Sequence, residues 1–287
     1  MKTTGYRKKE TRMAWIFLAP SLLGITVLIL VPFADAVRRS FFNAMGRSFV
    51  GLDNYRTVLH NEAFRLAAGN TGRFLLICIP LLIILSLFLS VLSYGRKRTG
   101  DYFRTVFLIP MAIPVACVAL LWQVFFHEKG LINHLLILFH GGPIDFMGTN
   151  RAFYVLVFSY LWKNTGYDMV LWHSGLSGIS TSLYEAAALD GAGTWKKFCY
   201  ITLPGLLPTL SVTLILSLVN SFKVFREAYL IAGSYPQDSI YMLQHLFNNW
   251  FIALDLQKMC AAAVFIAVCF VLLVLAIRHM DRNGEEE

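Results

Sequence analysis

Two runs of polar and ionisable side chains interrupt otherwise apolar sequence. Tyr160, Lys163, Asn164, Tyr167 and Asp168 are spaced i, i+3, i+4, i+7, i+8, and Asn220, Lys223 and Glu227 repeat the pattern at i, i+3, i+7 beside Ser217 and Ser221. On helices, each run forms a single stripe. A lysine held in hydrocarbon costs about 2.5–3.5 kcal/mol, so Lys163 is expected to point inward and find acceptors, with Tyr167 and Asp168 near enough to help. Two polar stripes on different helices imply a hydrated path. The chemistry open to them is non-covalent: hydrogen bonds from amides and aromatic faces to a solute, or an ion relay through Lys163, Asp168, Lys223 and Glu227. The bland alternative is a neutralising network that only positions helices.

Those stripes need a scaffold, and the composition says which kind. Of 287 residues, 57% are hydrophobic and 15% charged, where soluble domains carry about 25% charge. Six apolar windows, at 14–34, 74–94, 106–126, 152–172, 206–232 and 259–277, are long enough to cross a hydrocarbon core of roughly 30 Å. They lack the period-two alternation of a barrel, and lipid offers backbone groups no partners. The expected fold is therefore all-α with six transmembrane helices. Pro110 and Pro114 in the third window predict a kink that frees carbonyls for a neighbour or a water-filled path. Ala261, Ala262 and Ala263 in the sixth predict close helix packing.

Lysine and arginine placement sets the orientation. Lys2, Arg7, Lys8, Lys9 and Arg12 precede the first window, and Arg96, Lys97, Arg98 and Arg104 follow the second, which puts both clusters and both termini in the cytoplasm. Arg38, Arg39, Arg47, Arg56 and Arg65 oppose this on the outside, at lower density. The net charge of +8 then belongs to topology and anionic lipid, and no basic face with interleaved aromatics suggests nucleic acid. The chain divides into a basic arm (1–13), a first membrane helix with its outer loop (14–70), a core (71–279) and a charged tail (280–287) expected to be disordered. The first window is longer than a secretory signal core and reads as a retained anchor despite Ala34-Asp35-Ala36.

Several motifs fail on context. Four of the five cysteines lie in apolar windows, with no disulfide or metal spacing; His127, His134 and His140 read as a wetted face. Gly95 to Gly100 has P-loop glycine spacing, but Asp101 and Tyr102 stand where Lys and Ser/Thr are required. Gly191-Ala192-Gly193 lacks the third glycine of a dinucleotide fingerprint. Gly175-Leu176-Ser177-Gly178 matches the GxSG of an intramembrane serine protease, yet Ser177 falls at the cytoplasmic end.

Residues 185–204, EAAALDGAGTWKKFCYITLP, are the polar island between the fourth and fifth windows. Ser182 and Glu185 have capping-box spacing, a helix is expected to end at Gly191 and Gly193, and a second to run from Thr194 to Leu203 before Pro204 stops it. Glu185-Ala186-Ala187, Gly191, Ile201 and Leu203-Pro204 together resemble the EAA loop of binding-protein-dependent ABC importer permeases. FVGLDNYR at 49–56, Gly130-Leu131-Ile132-Asn133 and Phe222-Lys223-Val224-Phe225 resemble the maltose-type, sugar-transporting branch. The chain departs from the family at Ile179-Ser180, where many relatives carry a proline, and at Gly233-Ser234-Tyr235-Pro236, in place of a TGGGP-like turn.

The resemblance implies a type I (MetI-like) permease fold with its EAA coupling loop at 178–204 in a prokaryotic inner membrane. It also implies a second permease subunit, usually a related and non-identical chain, an external solute-binding protein and cytoplasmic ATPase subunits. ATP and Mg²⁺ would bind those ATPases, leaving this chain without a cofactor and without catalysis. Glu185, Ala186, Ala187, Asp190 and Gly191 would be the ATPase-coupling contacts. Tyr160, Lys163, Asn164, Tyr167, Asn220 and Lys223 would line the path of a sugar-like solute, although two lysines also suit a sugar acid or a phosphate-bearing solute. The competing class is a self-contained secondary transporter built on the four-residue charge relay, which inverted repeats would favour.

Overall fold

The computed structural model describes residues 3–44, 46–95 and 97–285, so Lys2 and Arg96 of the basic clusters lie outside the described residues. In chain order, α1 (Thr3–Ile25) runs through a π-turn (Thr26–Leu30) into α2 (Val31–Ser40), followed by α3 (Asp53–His60) and α4 (Glu62–Ser93). Next come α5 (Lys97–Ala112), α6 (Val115–Phe126), α7 (Leu131–Leu138) and α8 (Ala152–Gly178). Then α9 (Thr181–Leu189), α10 (Thr194–Lys197), a π-turn (Phe198–Thr202), α11 (Leu203–Gly205) and α12 (Leu207–Ser221) lead to a 3₁₀ turn (Phe222–Val224). The chain ends with α13 (Phe225–Ala232), α14 (Leu243–Ile252) and α15 (Leu256–Glu285). The only β feature among the described residues is a bridge between Phe42 and Phe49.

Among the described residues, five helical stretches have the length and apolarity to cross a membrane: Met13–Ser40, Glu62–Ser93, Val115–Leu138, Leu207–Ala232 and Leu256–His279. Two of the six expected windows behave differently. The third is not one helix, because α5 stops at Ala112 and α6 restarts after Pro114, whose backbone is extended (φ −55°, ψ 139°); proline and its predecessor resist continuing the preceding helix. The fourth lies within α8, whose 27 residues reach about 40 Å at 1.5 Å per residue. Its polar stripe lowers its apolarity, and neighbouring helices cover it instead. The tail departs from expectation too, since α15 continues to Glu285.

The chain packs as two compact units, residues 1–61 with 250–270, and residues 62–249 with 271–287. In the first, the FVGLDNYR segment is a knot of side-chain bonds. Asn54 Nδ2 donates to the carbonyls of Ser40 (2.9 Å) and Phe42 (3.0 Å), the Tyr55 and Ser40 hydroxyls are 2.7 Å apart, and Phe41 packs on Tyr55. Ala261 and Ala262 are fully buried, as a close-packing stripe requires.

In the second unit α8 is central, with α4, α5 and α12 against it and α13 against α6. Phe74, Phe153, Leu156, Tyr160, Val224 and Met242 form one apolar core, and Trp172, Leu176 and Leu206 another. Indole N–H groups tie helices together without water: Trp122 donates to Ser159 Oγ at 2.7 Å and Trp172 to Ser86 Oγ at 2.9 Å, satisfying polar groups that lipid could not. Two glycines set helix spacing. A Cβ on Gly166 would strike the backbone of Phe107 and come within 2.7 Å of Leu108 N, so α5 lies directly on α8. A Cβ on Gly175 would lie 2.9 Å from Leu206 Cδ2, which explains the first glycine of the GxSG match as packing against the α11–α12 turn. Asn133, from the GLIN run, is fully buried and exchanges two bonds of 2.8 Å with the backbone of Ile144.

Candidate functional site: a polar cavity and an exposed elbow

The two predicted stripes meet. Tyr160, Lys163 and Asn164 from α8 and Asn220, Lys223 and Glu227 from α12–α13 line one cavity of about 180 Å³, with Met111, Val115, Ser159, Val224 and Arg226. Ligand pockets usually enclose about 300–1,000 Å³; a cavity this small and open on one side suits one wall of a larger site.

The partners differ from those expected. Lys163 Nζ sits 2.6 Å from Glu227 Oε1, with side-chain exposures of 15% and 6%, so its acceptor comes from α13 rather than from Tyr167 or Asp168 on its own helix. Asp168 is fully buried and accepts from Ser217 Oγ at 2.8 Å. Tyr167 is half-buried and does not line the cavity. For Asp168 the reason is angular: at 100° per residue it lies about 80° round the helix from Tyr160, on the edge of the stripe that α12 covers. Tyr167 lies only about 20° from Tyr160 and is set off along the helix axis instead. The four-charge relay is therefore not contiguous, since Asp168 is outside the cavity wall. Tyr160 also packs as structure. Its hydroxyl donates to Ser217 O at 2.8 Å and its ring lies edge-on to Phe74.

The remaining polar groups face the cavity. Asn164 Nδ2 donates to Tyr160 O at 2.8 Å, and Lys223 Nζ donates to Asn220 Oδ1 at 2.6 Å, which holds the ammonium at the cavity edge. Glu227 Oε2 is buried and has no hydrogen-bond partner among the described residues. Sequence reasoning missed Arg226, which sits three residues after Lys223 and lines the cavity; that i, i+3 spacing was the available signal.

The island folds into an elbow. Ser180 occupies the N-cap position of α9 without a side-chain cap bond, and its hydroxyl meets Ser182 Oγ at 2.7 Å, so the Ser182–Glu185 capping box does not form. Helix α9 begins two residues too early for it. Beyond α9, Ala192 N–H donates to Ala187 O (2.8 Å) and Gly191 N–H to Ala188 O (3.1 Å). This is a Schellman closure with Gly191 at the left-handed position, φ +76°. The spacing from EAA to glycine is thus the distance from the middle of a helix to its terminator. Glu185, Ala186, Asp190 and Gly191 are exposed and Ala187 is half-buried; Leu189 is 91% exposed. Pro204 does not stop the second helix as expected. The π-turn at Phe198–Thr202 takes up the strain, and Pro204 starts α11, where its missing N–H is harmless.

On the outer side of the predicted topology, His245 is fully buried against Phe225 and Tyr241. Its Nδ1 accepts from Met242 N–H at 3.2 Å, and burial pushes its pKa down to about 4. Burial likewise raises that of Tyr241. No group of three or more His, Cys, Asp or Glu able to hold a metal occurs among the described residues.

Helices long and apolar enough to cross a membrane, packed around a polar cavity, define a multi-pass membrane protein of the permease class. Residues 82–283 match the family model described as binding-protein-dependent transport system inner membrane component, and the chain belongs to that family. It is 30% identical over 255 residues to the trehalose/maltose transport system permease protein MalF of Thermococcus litoralis, covering 87% of this chain and 86% of that one. It is 32% identical over 260 residues to the sulfoquinovosyl glycerol transport system permease protein SmoG of Agrobacterium fabrum, covering 88% and 84%. A chain in the crystal structure of a bacterial alginate ABC transporter, in complex with alginate pentasaccharide-bound periplasmic protein, superposes with a TM-score of 0.80 over 98% of both chains at 24% identity.

Proposed function

We propose that this chain is the membrane-spanning permease subunit of an ATP-driven, binding-protein-dependent importer that carries a sugar or oligosaccharide across the cytoplasmic membrane of a prokaryote. The observation that carries this is the continuity of α8. It lines the polar cavity with Tyr160, Lys163 and Asn164 at its middle and ends two residues before the exposed α9 elbow. One element thus joins the polar cavity to an exposed elbow suited to docking a protein.

In this reading the chain crosses the membrane six times with both termini cytoplasmic, α8 joining the five apolar stretches to complete the count. A second permease subunit supplies the opposite wall of the cavity. An external binding protein delivers the solute, and cytoplasmic ATPases bind ATP and Mg²⁺. Glu185, Ala186, Ala187, Asp190 and Gly191 form the coupling contact: small residues let a partner approach closely, and the exposed Leu189 supplies an apolar tip to bury in its groove. ATPase closure then moves α9 as a rigid body.

The test is reconstitution of the permease with its genomically adjacent second permease, ATPase and binding protein in vesicles, measuring uptake of a panel of labelled neutral and acidic sugars that includes maltotriose and a uronate trisaccharide. ATP-dependent uptake that needs all components supports the assignment. Uptake by this chain alone, driven by an ion gradient, refutes it.

A further inference from the structure

We propose that the solute carries an anionic group, a carboxylate, sulfonate or phosphate, and that Lys223 and Arg226 receive it. This inference rests on the importer reading above and narrows its substrate class. Among the described residues lining the cavity are three cations, Lys163, Lys223 and Arg226, and one anion, Glu227. Glu227 is already committed to Lys163 at 2.6 Å, so the surplus positive charge resides on Lys223 and Arg226, and both side chains are exposed to the path. Their i, i+3 spacing across the 3₁₀ turn and α13 puts two like charges on one face, an arrangement that is unfavourable until an anion sits between them. Arginine offers a fork matched to two oxygens of such a group, and lysine a point charge beside it. Asn220, through its 2.6 Å bond to Lys223 Nζ, positions that charge.

The experiment is uptake by the reconstituted four-component transporter in vesicles of phosphatidylcholine alone, using matched probes. These are uronate trisaccharide against maltotriose, sulfoquinovosyl glycerol against glucosyl glycerol, and sn-glycerol 3-phosphate against glycerol. The expected result is ATP-dependent uptake of an acidic member over its neutral partner, lowered about tenfold or more in the K223Q/R226Q double variant and restored by K223R/R226K, with complex assembly verified for each. Preference for the acid that appears only after anionic lipid is added overturns the proposal and assigns the cation pair to a lipid headgroup. ATP-dependent uptake equal for acid and neutral members overturns it too, assigning the counter-charge to the second permease subunit, and leaves the importer reading standing. Uptake of the acids without ATP supports the anion site and overturns the importer.

Discussion

Glu227→Ala removes one half of a nearly dry ion pair, and its cost can be worked from the geometry. Lys163 Nζ and Glu227 Oε1 are 2.6 Å apart, at 15% and 6% side-chain exposure, joining α8 to α13. Truncating one member of such a pair leaves a charge without its partner and costs about 3–5 kcal/mol, whereas replacing both by apolar groups of similar volume is close to neutral. We therefore expect Glu227→Ala and Lys163→Ala each to lower the melting temperature of the purified permease complex by about 10 °C, taking roughly 2–4 °C per kcal/mol. The double variant K163M/E227L should recover most of that loss while failing to transport. The assay is thermal unfolding in detergent alongside vesicle uptake. If the double variant is destabilised by the sum of the two singles, the residues are not coupled and the pairing is wrong.

Gly191→Val places a β-branched residue at φ +76°, at a cost of about 1–2 kcal/mol; co-purification of the ATPase with the permease should fall while membrane insertion persists, and undiminished association would remove the elbow from the coupling role. Gly166→Ala forces α5 off α8, since its Cβ meets the Phe107 backbone; overpacking of this kind costs about 1–3 kcal/mol, read as lower complex yield and melting temperature. His245 is held neutral by burial, so protonation favours the unfolded chain. Its contribution is full above its ordinary pKa near 6.5 and is lost as pH falls towards about 4, of order 3 kcal/mol in all. His245→Phe should flatten the melting-temperature profile between pH 6.5 and pH 4, and an unchanged acid slope would show that other groups set it.

Much of this was legible because the physics is periodic. The stripes at 160–168 and 220–227 announced a shared polar face, and the cavity contains most of what they nominated. What periodicity could not supply was the partner across the gap. Lys163 had acceptors available on its own helix, but the helix turns Asp168 toward α12 and Ser217, so the pairing with Glu227 depended on a tertiary neighbour. The EAA-to-glycine spacing was read as a pattern before its cause was visible in the Schellman closure at Gly191. Backbone accommodation was least legible: no pattern in residues 26–30 or 198–202 marks the two π-turns. They occur just ahead of Pro32 and Pro204, where a ring must fit without breaking the helix. The break at Pro114 went the other way, from expected kink to full interruption.

The unbroken run of α8, without proline or a π-turn from Ala152 to Gly178, also fixes a mechanical ratio. From Lys163 to Gly178 the helix extends about 22 Å at 1.5 Å per residue. A tilt of about 10° pivoting near the cavity therefore swings its far end by about 4 Å, roughly three-quarters of one turn's pitch. With α5 seated on its backbone at Gly166, this lever arm gains stiffness where it would otherwise bend. A displacement too small to break the bond between Lys163 and Glu227 becomes, at the elbow, a movement of several ångströms.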